Sequence, residues 1–185
     1  TGGPPILEKI LKGLSPDLKC PILIVQHMPQ KFTSIFAELT NKKTKIEVLQ
    51  AKDGEEIKAG TCYIAKSGYH MKVEAFEERE LKLSKKVIHL SKEDRVSGYR
   101  PSIDVLMKSV VDNYQSACIG IILTGMGHDG LEGSKQIHAN GGYLIAQSPQ
   151  SAVIESMPRS IIDAGITNEV LSPGEIINVI NSNCK

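Results

Sequence analysis

The sequence predicts an α/β fold with a doubly wound, mostly parallel sheet and helices on both faces. Short apolar runs, such as residues 22–26 and 117–123, alternate with segments whose apolar residues recur at helical spacing. Continuous apolar strands are typical of parallel sheets, because such sheets are covered on both sides. The length of 185 residues fits one domain, so we assign residues 1–185 to a single unit.

The first elements alternate between helix and strand. A glycine turn at Thr1-Gly2-Gly3 precedes two prolines, and residues 6–14 then carry apolar side chains at helical spacing. Residues 22–26 (ILIVQ) form an apolar strand that ends in His27. Helical spacing returns over residues 32–39, which predicts a second helix packed on the sheet.

The middle of the chain has a different character. Between residues 46 and 90, short runs with strand propensity are separated by Asp-Gly, Ala-Gly and Ser-Gly turns. Several of these runs alternate polar with apolar residues, as strands with one buried face do. We therefore predict a small β-rich elaboration at one edge of the sheet, over residues 46–90.

The second half returns to alternating strands and helices. A helix is predicted to begin at residues 100–102, and the apolar strand 117–123 leads through the glycine-rich turn LTGMGHDG (residues 123–130) into another helix. That helix should end at the Asn-Gly-Gly of residues 140–142, before a short strand at 143–146. Ser172 and Glu175 form the sequence pattern of a capping box, which predicts the last helix.

Composition excludes several classes of function. A net charge of +1 gives no reason to expect binding to nucleic acid or to an anionic membrane, and no apolar run approaches the roughly 20 residues that cross a bilayer. The five histidines show no metal-binding spacing, so neither a metal nor another cofactor is expected. The four cysteines form no CxxC pair, which predicts reduced thiols in a cytoplasmic protein.

The glycine-rich turn and His27 are expected on the same edge of the sheet. Parallel strands bring their carboxyl ends together, so His27 and Asp129 would both lie there. An imidazole that an acid orients is the base of serine-type hydrolases. Each residue also has a simpler interpretation, since His27 would merely end a strand and Asp129 would merely cap a helix. The glycines of the turn are equally consistent with tight turn geometry or with an anion-binding loop.

Several longer motifs occur together and in order. They are the opening TGGPP, VQHMPQKFTSIFAEL (25–39), CYIAKSGYHM (62–71), RPSIDVL (100–106), LTGMGHDG (123–130) and GGYLIAQSPQSAVIESMPRSI (141–161). Together they resemble the catalytic domain of the chemotaxis protein-glutamate methylesterases, the CheB family. The resemblance covers nearly the whole chain.

The resemblance implies a Ser–His–Asp triad that hydrolyses glutamate methyl esters and deamidates glutamines on the cytoplasmic helices of chemoreceptors. The family's histidine corresponds to His27 and its aspartate to Asp129, whereas its serine would immediately precede Thr1 and is not in this chain. The strand before that serine is absent from the chain as well. Backbone N–H groups of Thr1 and Met126 are predicted to bind the oxyanion, and Arg100 is predicted either to hold substrate carboxylates or to form a salt bridge. Family members also carry a receiver domain, which this chain lacks.

Two other functions stay open from the sequence. A non-catalytic module would bind receptor helices, or an anion at the glycine-rich turn, without turnover. A nucleotide-binding domain is disfavoured because the chain has neither the Lys-Ser/Thr of a P-loop nor GxGxxG with a following acid. His70 and His128 compete with His27 as the base, while His89 and His138 are predicted to be surface or structural residues.

Overall fold

Helices and strands alternate along most of the residues that the computed structural model describes, 2–78 and 83–185. The helices are α1 (Gly3–Lys12), α2 (Phe32–Asn41), α3 (Ile103–Tyr114), α4 (Leu131–Ala139), α5 (Ser156–Asp163) and α6 (Pro173–Asn183). The strands are β1 (Ile22–Ile24), β2 (Glu47–Gln50), β3 (Thr61–Ile64), β4 (His70–Glu78), β5 (Leu83–Ser91), β6 (Ile119–Ile122), β7 (Tyr143–Gln147) and β8 (Glu169–Leu171). Helix α5 and strand β8 were not among the predicted elements.

The strands fall into two parallel sheets and one hairpin. The first sheet has the order β1-β3-β2 and the second has the order β6-β7-β8, and all their pairings are parallel. Strands β4 and β5 pair antiparallel with each other. The predicted α/β class with parallel strands and covering helices is therefore confirmed.

The predicted boundaries of the β-rich elaboration were wrong. Strands β2 and β3 belong to the first parallel sheet, and among the described strands only β4 and β5 lie outside the parallel sheets. The connection from β2 to β3 contains no helix, so the alternation that marks parallel strands in the sequence is missing there. Strand β3 is nevertheless central in its sheet, and all four of its residues are buried.

Helices cover the sheets in two layers. Residues of α1 and α6 form one apolar cluster with side chains from β2, β3 and β7, so this layer spans both sheets. Met107 of α3, Ile137 of α4 and Ile161 of α5 belong to a second cluster, which packs on β6 and β7. The predicted capping box begins α6, where Ser172 Oγ accepts the N–H of Glu175 and the Glu175 side chain accepts the N–H of Ser172.

An apolar cleft separates the two parallel sheets. Its volume is about 900 Å³, and residues from β1 and β6 lie on its two sides. Strand β1 pairs with β3 and β6 pairs with β7, so no described strand pairs with the edges that face the cleft. Residues of the predicted strands 22–26 and 117–123 line the cleft, and most of them are accordingly only partly buried.

The cysteines correct one prediction. Cys20 and Cys184 form a disulfide with a Cα–Cα distance of 5.4 Å, which overturns the expectation of four reduced thiols. The two residues are 164 positions apart, so no spacing pattern reveals the pair. Cys62 and Cys118 are free, and burial raises the pKa of both thiols.

Candidate active site

His27 and Asp129 meet where strands of the two parallel sheets end. His27 follows β1 by a few residues, and Asp129 lies in the turn between β6 and α4. The Nε2 atom of His27 is 2.7 Å from Oδ2 of Asp129, although the residues are 102 positions apart. The His27 side chain is 25% exposed and that of Asp129 is 1% exposed, so a solvent-accessible imidazole is bound to a buried carboxylate.

Asp129 also caps helix α3. Its Oδ1 accepts hydrogen bonds from Ser102 Oγ (2.7 Å) and from the N–H of Asp104 (3.2 Å), while its Oδ2 accepts the N–H of Ile103 (2.8 Å). Burial alone would raise the pKa of Asp129, but the bonds from His27, Ile103, Ser102 and Asp104 outweigh it and lower that pKa. The carboxylate is therefore held in its ionised form, although the helix that it caps is α3 rather than the α4 that follows it.

Asp104 in turn caps the start of helix α4, which directly follows the turn that carries Asp129. Its Oδ1 accepts the N–H groups of Gly130 (3.0 Å) and Gly133 (2.8 Å). These N–H groups lie at the start of α4, where the helix itself supplies no acceptor. Gly130 has a φ of 102°, a left-handed backbone that disfavours any side chain at this position. Asp104 of α3 thus binds the start of α4, and Asp129, just before α4, binds the start of α3. Together these bonds fix the backbone on both sides of Asp129.

The bond to Asp129 decides which nitrogen of His27 is basic. When an ionised carboxylate accepts from Nε2, the neutral ring carries its proton there and has its lone pair on Nδ1. The ring also stacks on Tyr99, with centroids 4.3 Å apart and planes inclined by 18°. Because one face and one edge are in contact, the imidazole is held with Nδ1 as the atom that can take a proton.

The N-terminus of α1 lies beside the same edge. A Cβ on Gly3 would collide with the side chain of Gln26, and a Cβ on Gly2 would approach Val153 to 2.7 Å and Thr124 to 3.4 Å. The two glycines therefore allow the start of α1 to contact residues that adjoin His27 and the glycine-rich turn. Thr1, which the sequence suggested as an oxyanion donor, lies outside the described residues.

Met126 is the other predicted oxyanion donor. Met126 is 68% exposed. The turn around it is anchored by Gly125, whose N–H donates to Ile154 O and whose carbonyl accepts the N–H of Met157. Within residues 2–78 and 83–185, no acceptor is hydrogen bonded to the Met126 N–H. That amide is available to a ligand, and its role stays a prediction.

Arg100 has a contact that the sequence did not suggest. Its Nη1 donates to the carbonyls of Lys92 (2.9 Å) and Glu93 (2.8 Å), and its buried Nε has no hydrogen-bond partner among the described residues. The guanidinium therefore fixes the loop after β5, and it forms no ion pair with any residue that the structure describes. Contact with substrate carboxylates stays a prediction.

The other histidines have different surroundings. His70 is completely buried and accepts the backbone N–H of Ser102, whose hydroxyl donates to Asp129, whereas His128 is exposed. His89 lies 3.2 Å from Asp53 at the surface, and His138 is exposed on α4. In the part of the chain that the structure describes, no group of three His, Cys, Asp or Glu side chains is arranged to hold a metal ion.

Sequence reasoning missed three contributors to the site. Tyr99, which stacks on His27, follows no pattern that predicts such a contact. Ser102 precedes a helix and so has the signature of an N-cap, but its hydroxyl donates to Asp129 and makes no cap bond of its own. Asp104 lies in the first turn of α3, where an acid is common, but its partners are N–H groups at the start of α4.

Comparisons with known proteins agree on one family. The profile of the family described as CheB methylesterase matches residues 1–180. A protein-glutamate methylesterase/protein-glutamine glutaminase of Halalkalibacterium halodurans is 42% identical over 185 residues, which cover 100% of this chain and 52% of that protein. A protein-glutamate methylesterase/protein-glutamine glutaminase 2 of Nitratidesulfovibrio vulgaris is 41% identical over 171 residues, or 92% of this chain and 45% of that protein.

A solved structure is similar over nearly the same region. The crystal structure of the CheB methylesterase catalytic domain of Thermotoga maritima superposes with a TM-score of 0.92 at 34% identity. The match covers 98% of this chain and 93% of that one. The chain spans about half the length of the curated relatives that it matches.

No described helix is both long and apolar enough to cross a membrane.

Proposed function

The chain belongs to the CheB methylesterase family, and from that premise we propose that residues 1–185 are the catalytic domain of a serine-type ester hydrolase. Its substrates would be glutamate methyl esters on the cytoplasmic helices of chemoreceptors, with deamidation of glutamine as a second reaction. The observation that carries the proposal is the 2.7 Å bond between the accessible His27 and the buried, ionised Asp129. The names of the relatives support glutamate methyl esters and glutamines of a protein as the groups that react.

The nucleophile is proposed to be a serine immediately ahead of Thr1. The edges of β1 and β6 that face the cleft carry backbone N–H and C=O groups, and a strand running parallel between them would pair with both. Such a strand would end at the carboxyl edge, where α1 begins beside Gln26. The turn joining that strand to α1 would then hold the serine near His27.

The first half of the proposed reaction forms an acyl-enzyme. The serine Oγ attacks the ester carbonyl carbon, and its proton passes to Nδ1 of His27. Asp129 keeps the other proton on Nε2 and stabilises the imidazolium that results. The backbone N–H groups of Met126 and Thr1 would bind the oxyanion, and methanol would leave with the proton from Nδ1.

The second half releases the product. Water attacks the acyl carbon while its proton passes to Nδ1, and the serine oxygen leaves with that proton to give a glutamate carboxyl group. For a glutamine substrate, ammonia would replace methanol as the leaving group and the remaining steps would be the same. No step uses a metal or another cofactor.

The proposal also assigns a role to Arg100, a receiver domain to the full-length protein, and a location in the cell. Arg100 would contact acidic side chains near the scissile ester, through the part of the guanidinium that does not bind the loop carbonyls. A receiver domain would account for part of the additional length that the relatives have. The protein would act in the cytoplasm, where it meets the cytoplasmic helices of chemoreceptors.

Methanol release from a methylated receptor fragment tests the proposal. The assay uses the full-length protein, by which we mean the natural polypeptide with its own residues ahead of Thr1. Wild type should turn over, and His27→Ala should lose about 10³-fold or more in kcat. His138→Ala, an exposed histidine on α4, is the matched control and should keep full activity. A silent wild type that still binds the fragment would favour the non-catalytic receptor-binding module.

A further inference from the structure

His70 is a buried titratable residue that the proposed mechanism does not use. It begins β4 and has no exposed surface. Its Nδ1 accepts the backbone N–H of Ser102 at 3.3 Å, and its Nε2 lies 2.9 Å from the carbonyl oxygen of Asp94. An atom that accepts an N–H carries no proton, so Nδ1 is bare and Nε2–H donates to Asp94 O. The contacts define one neutral tautomer.

Ser102 connects this imidazole to the site. Its backbone is held by His70, and its hydroxyl donates to Oδ1 of Asp129 at 2.7 Å. The other carboxylate oxygen, Oδ2, is the one bound to His27. A continuous chain of hydrogen bonds therefore runs from Asp94 O through His70, Ser102 and Asp129 to His27.

The surroundings explain why an imidazole occupies this position. Ser102 is fully buried, and its N–H stands at the start of α3, where helix geometry supplies no acceptor. An apolar residue at position 70 would leave the buried N–H of Ser102 unpaired and would remove the hydrogen bond to the Asp94 carbonyl. His70 satisfies both with one rigid ring.

We propose that His70 is a positioning residue for the reaction, because through Ser102 it holds Asp129 in the orientation that binds His27 Nε2. The proposal rests on the proposed function for its kinetic consequence. The effect of His70 on the contact between the Asp129 carboxylate and the His27 imidazole can be tested separately, because that contact exists whether or not an ester is cleaved.

Two substitutions divide the functions of the His70 ring. His70→Asn puts an amide oxygen near the position of Nδ1, so the acceptor for Ser102 N–H is kept and the donor to Asp94 is lost. His70→Gln reaches the position of Nε2, so the donor to Asp94 is kept and the acceptor is lost. We expect His70→Asn to stay within a few-fold of wild type, and His70→Gln to lose about 10–100-fold in kcat with little change in KM.

A double-mutant cycle separates positioning from a general structural role. Ser102→Ala removes the hydroxyl that reaches Asp129, so His70→Gln should have no further effect on kcat in that background. A residue that only supports the fold would cost the same in both backgrounds. Additive losses, or equal losses in the Asn and Gln variants, would overturn the proposal.

A proton NMR measurement on the full-length protein keeps the test independent of turnover. The Nε2–H of an imidazole bound to a carboxylate resonates at low field, and His27→Ala assigns the signal. We expect the signal in wild type and His70→Asn, and its loss or a large upfield shift in His70→Gln and Ser102→Ala. An unchanged signal in Ser102→Ala would overturn the proposal even if His70→Gln failed to fold. If wild type cleaves no ester, the proposed function fails while this signal still decides the role of His70.

Discussion

Replacing Asp104 should separate its role as a helix cap from its charge. The carboxylate accepts Gly130 N–H at 3.0 Å and Gly133 N–H at 2.8 Å, and both bonds end on the same oxygen, Oδ1. An asparagine can present its single amide oxygen to both donors and is as good an N-cap as aspartate. Alanine removes the acceptor and leaves two buried N–H groups unpaired.

The expected magnitudes follow from those two bonds. Loss of an N-cap costs about 0.5–2 kcal/mol, and a buried unpaired donor costs about 1–3 kcal/mol. Because Asp104 is only partly buried, water can reach part of the space that alanine leaves, and we expect Asp104→Ala to lose about 2 kcal/mol. Asp104→Asn should stay within about 0.5 kcal/mol of wild type or exceed it, since it keeps both acceptor contacts.

The difference in free energy of unfolding between Asp104→Asn and wild type should change with pH in a defined direction. Burial raises the pKa of Asp104 above its ordinary 3.8, and the negative charge of Asp129 raises it further, while the bonds from Gly133 and Gly130 oppose the shift. An acid with a raised pKa in the folded state carries a stability penalty when ionised, and the penalty disappears as the pH falls. Any advantage of Asp104→Asn over wild type should therefore be largest near pH 7 and shrink toward acid.

Urea unfolding of the full-length protein at neutral and mildly acidic pH measures these differences. The free energy of unfolding should rank Asn at or above wild type, and wild type above Ala, at pH 7. Equal losses for Asn and Ala would refute the capping argument. An Asn advantage that grew as the pH fell would refute the assignment of the pKa shift.

Three further predictions concern the ends of the chain and the Asp129 carboxylate. Ser172→Ala should cost about 0.5–2 kcal/mol in urea unfolding by breaking the capping box of α6, whereas Ser182→Ala, exposed on the same helix, should stay within about 0.5 kcal/mol. Reduction of the Cys20–Cys184 disulfide should lower the free energy of unfolding by roughly 2–4 kcal/mol, measured with and without a thiol reductant. Because the pKa of Asp129 is lowered by folding, its stabilisation relative to Asp129→Asn should be present at neutral pH and disappear as the pH falls through that lowered pKa, measured by unfolding across pH 2–7.

The His27–Asp129 contact was predictable because only local rules and one topological rule are needed. Each residue follows an apolar strand, and parallel strands end on a common edge. The helices with strong apolar spacing and clear caps were predictable for a similar reason, since α1, α4 and α6 carry their start or stop signals in the sequence.

Other features depend on contacts that no local pattern encodes. The parallel pairing of β2 with β3 lacks the intervening helix that normally marks it. The Cys20–Cys184 disulfide joins residues near opposite ends of the chain, so it depends on how α6 packs against α1. Tyr99 and His70 reach the site from the loop before α3 and from the β4-β5 hairpin, and neither position is fixed by residue spacing.

The carboxylates of Asp104 and Asp129, each bound to the start of the other's helix, explain how the connections that precede α3 and α4 form one site. Asp129 would ordinarily cap the helix that follows it, but that place is taken by Asp104, and Asp129 is directed at the start of α3 instead. Each carboxylate therefore accepts two backbone N–H groups at the start of the other's helix and holds that backbone in place. Because Oδ2 of Asp129 has room for both Ile103 N–H and His27, the bonds that cap a helix also orient the imidazole.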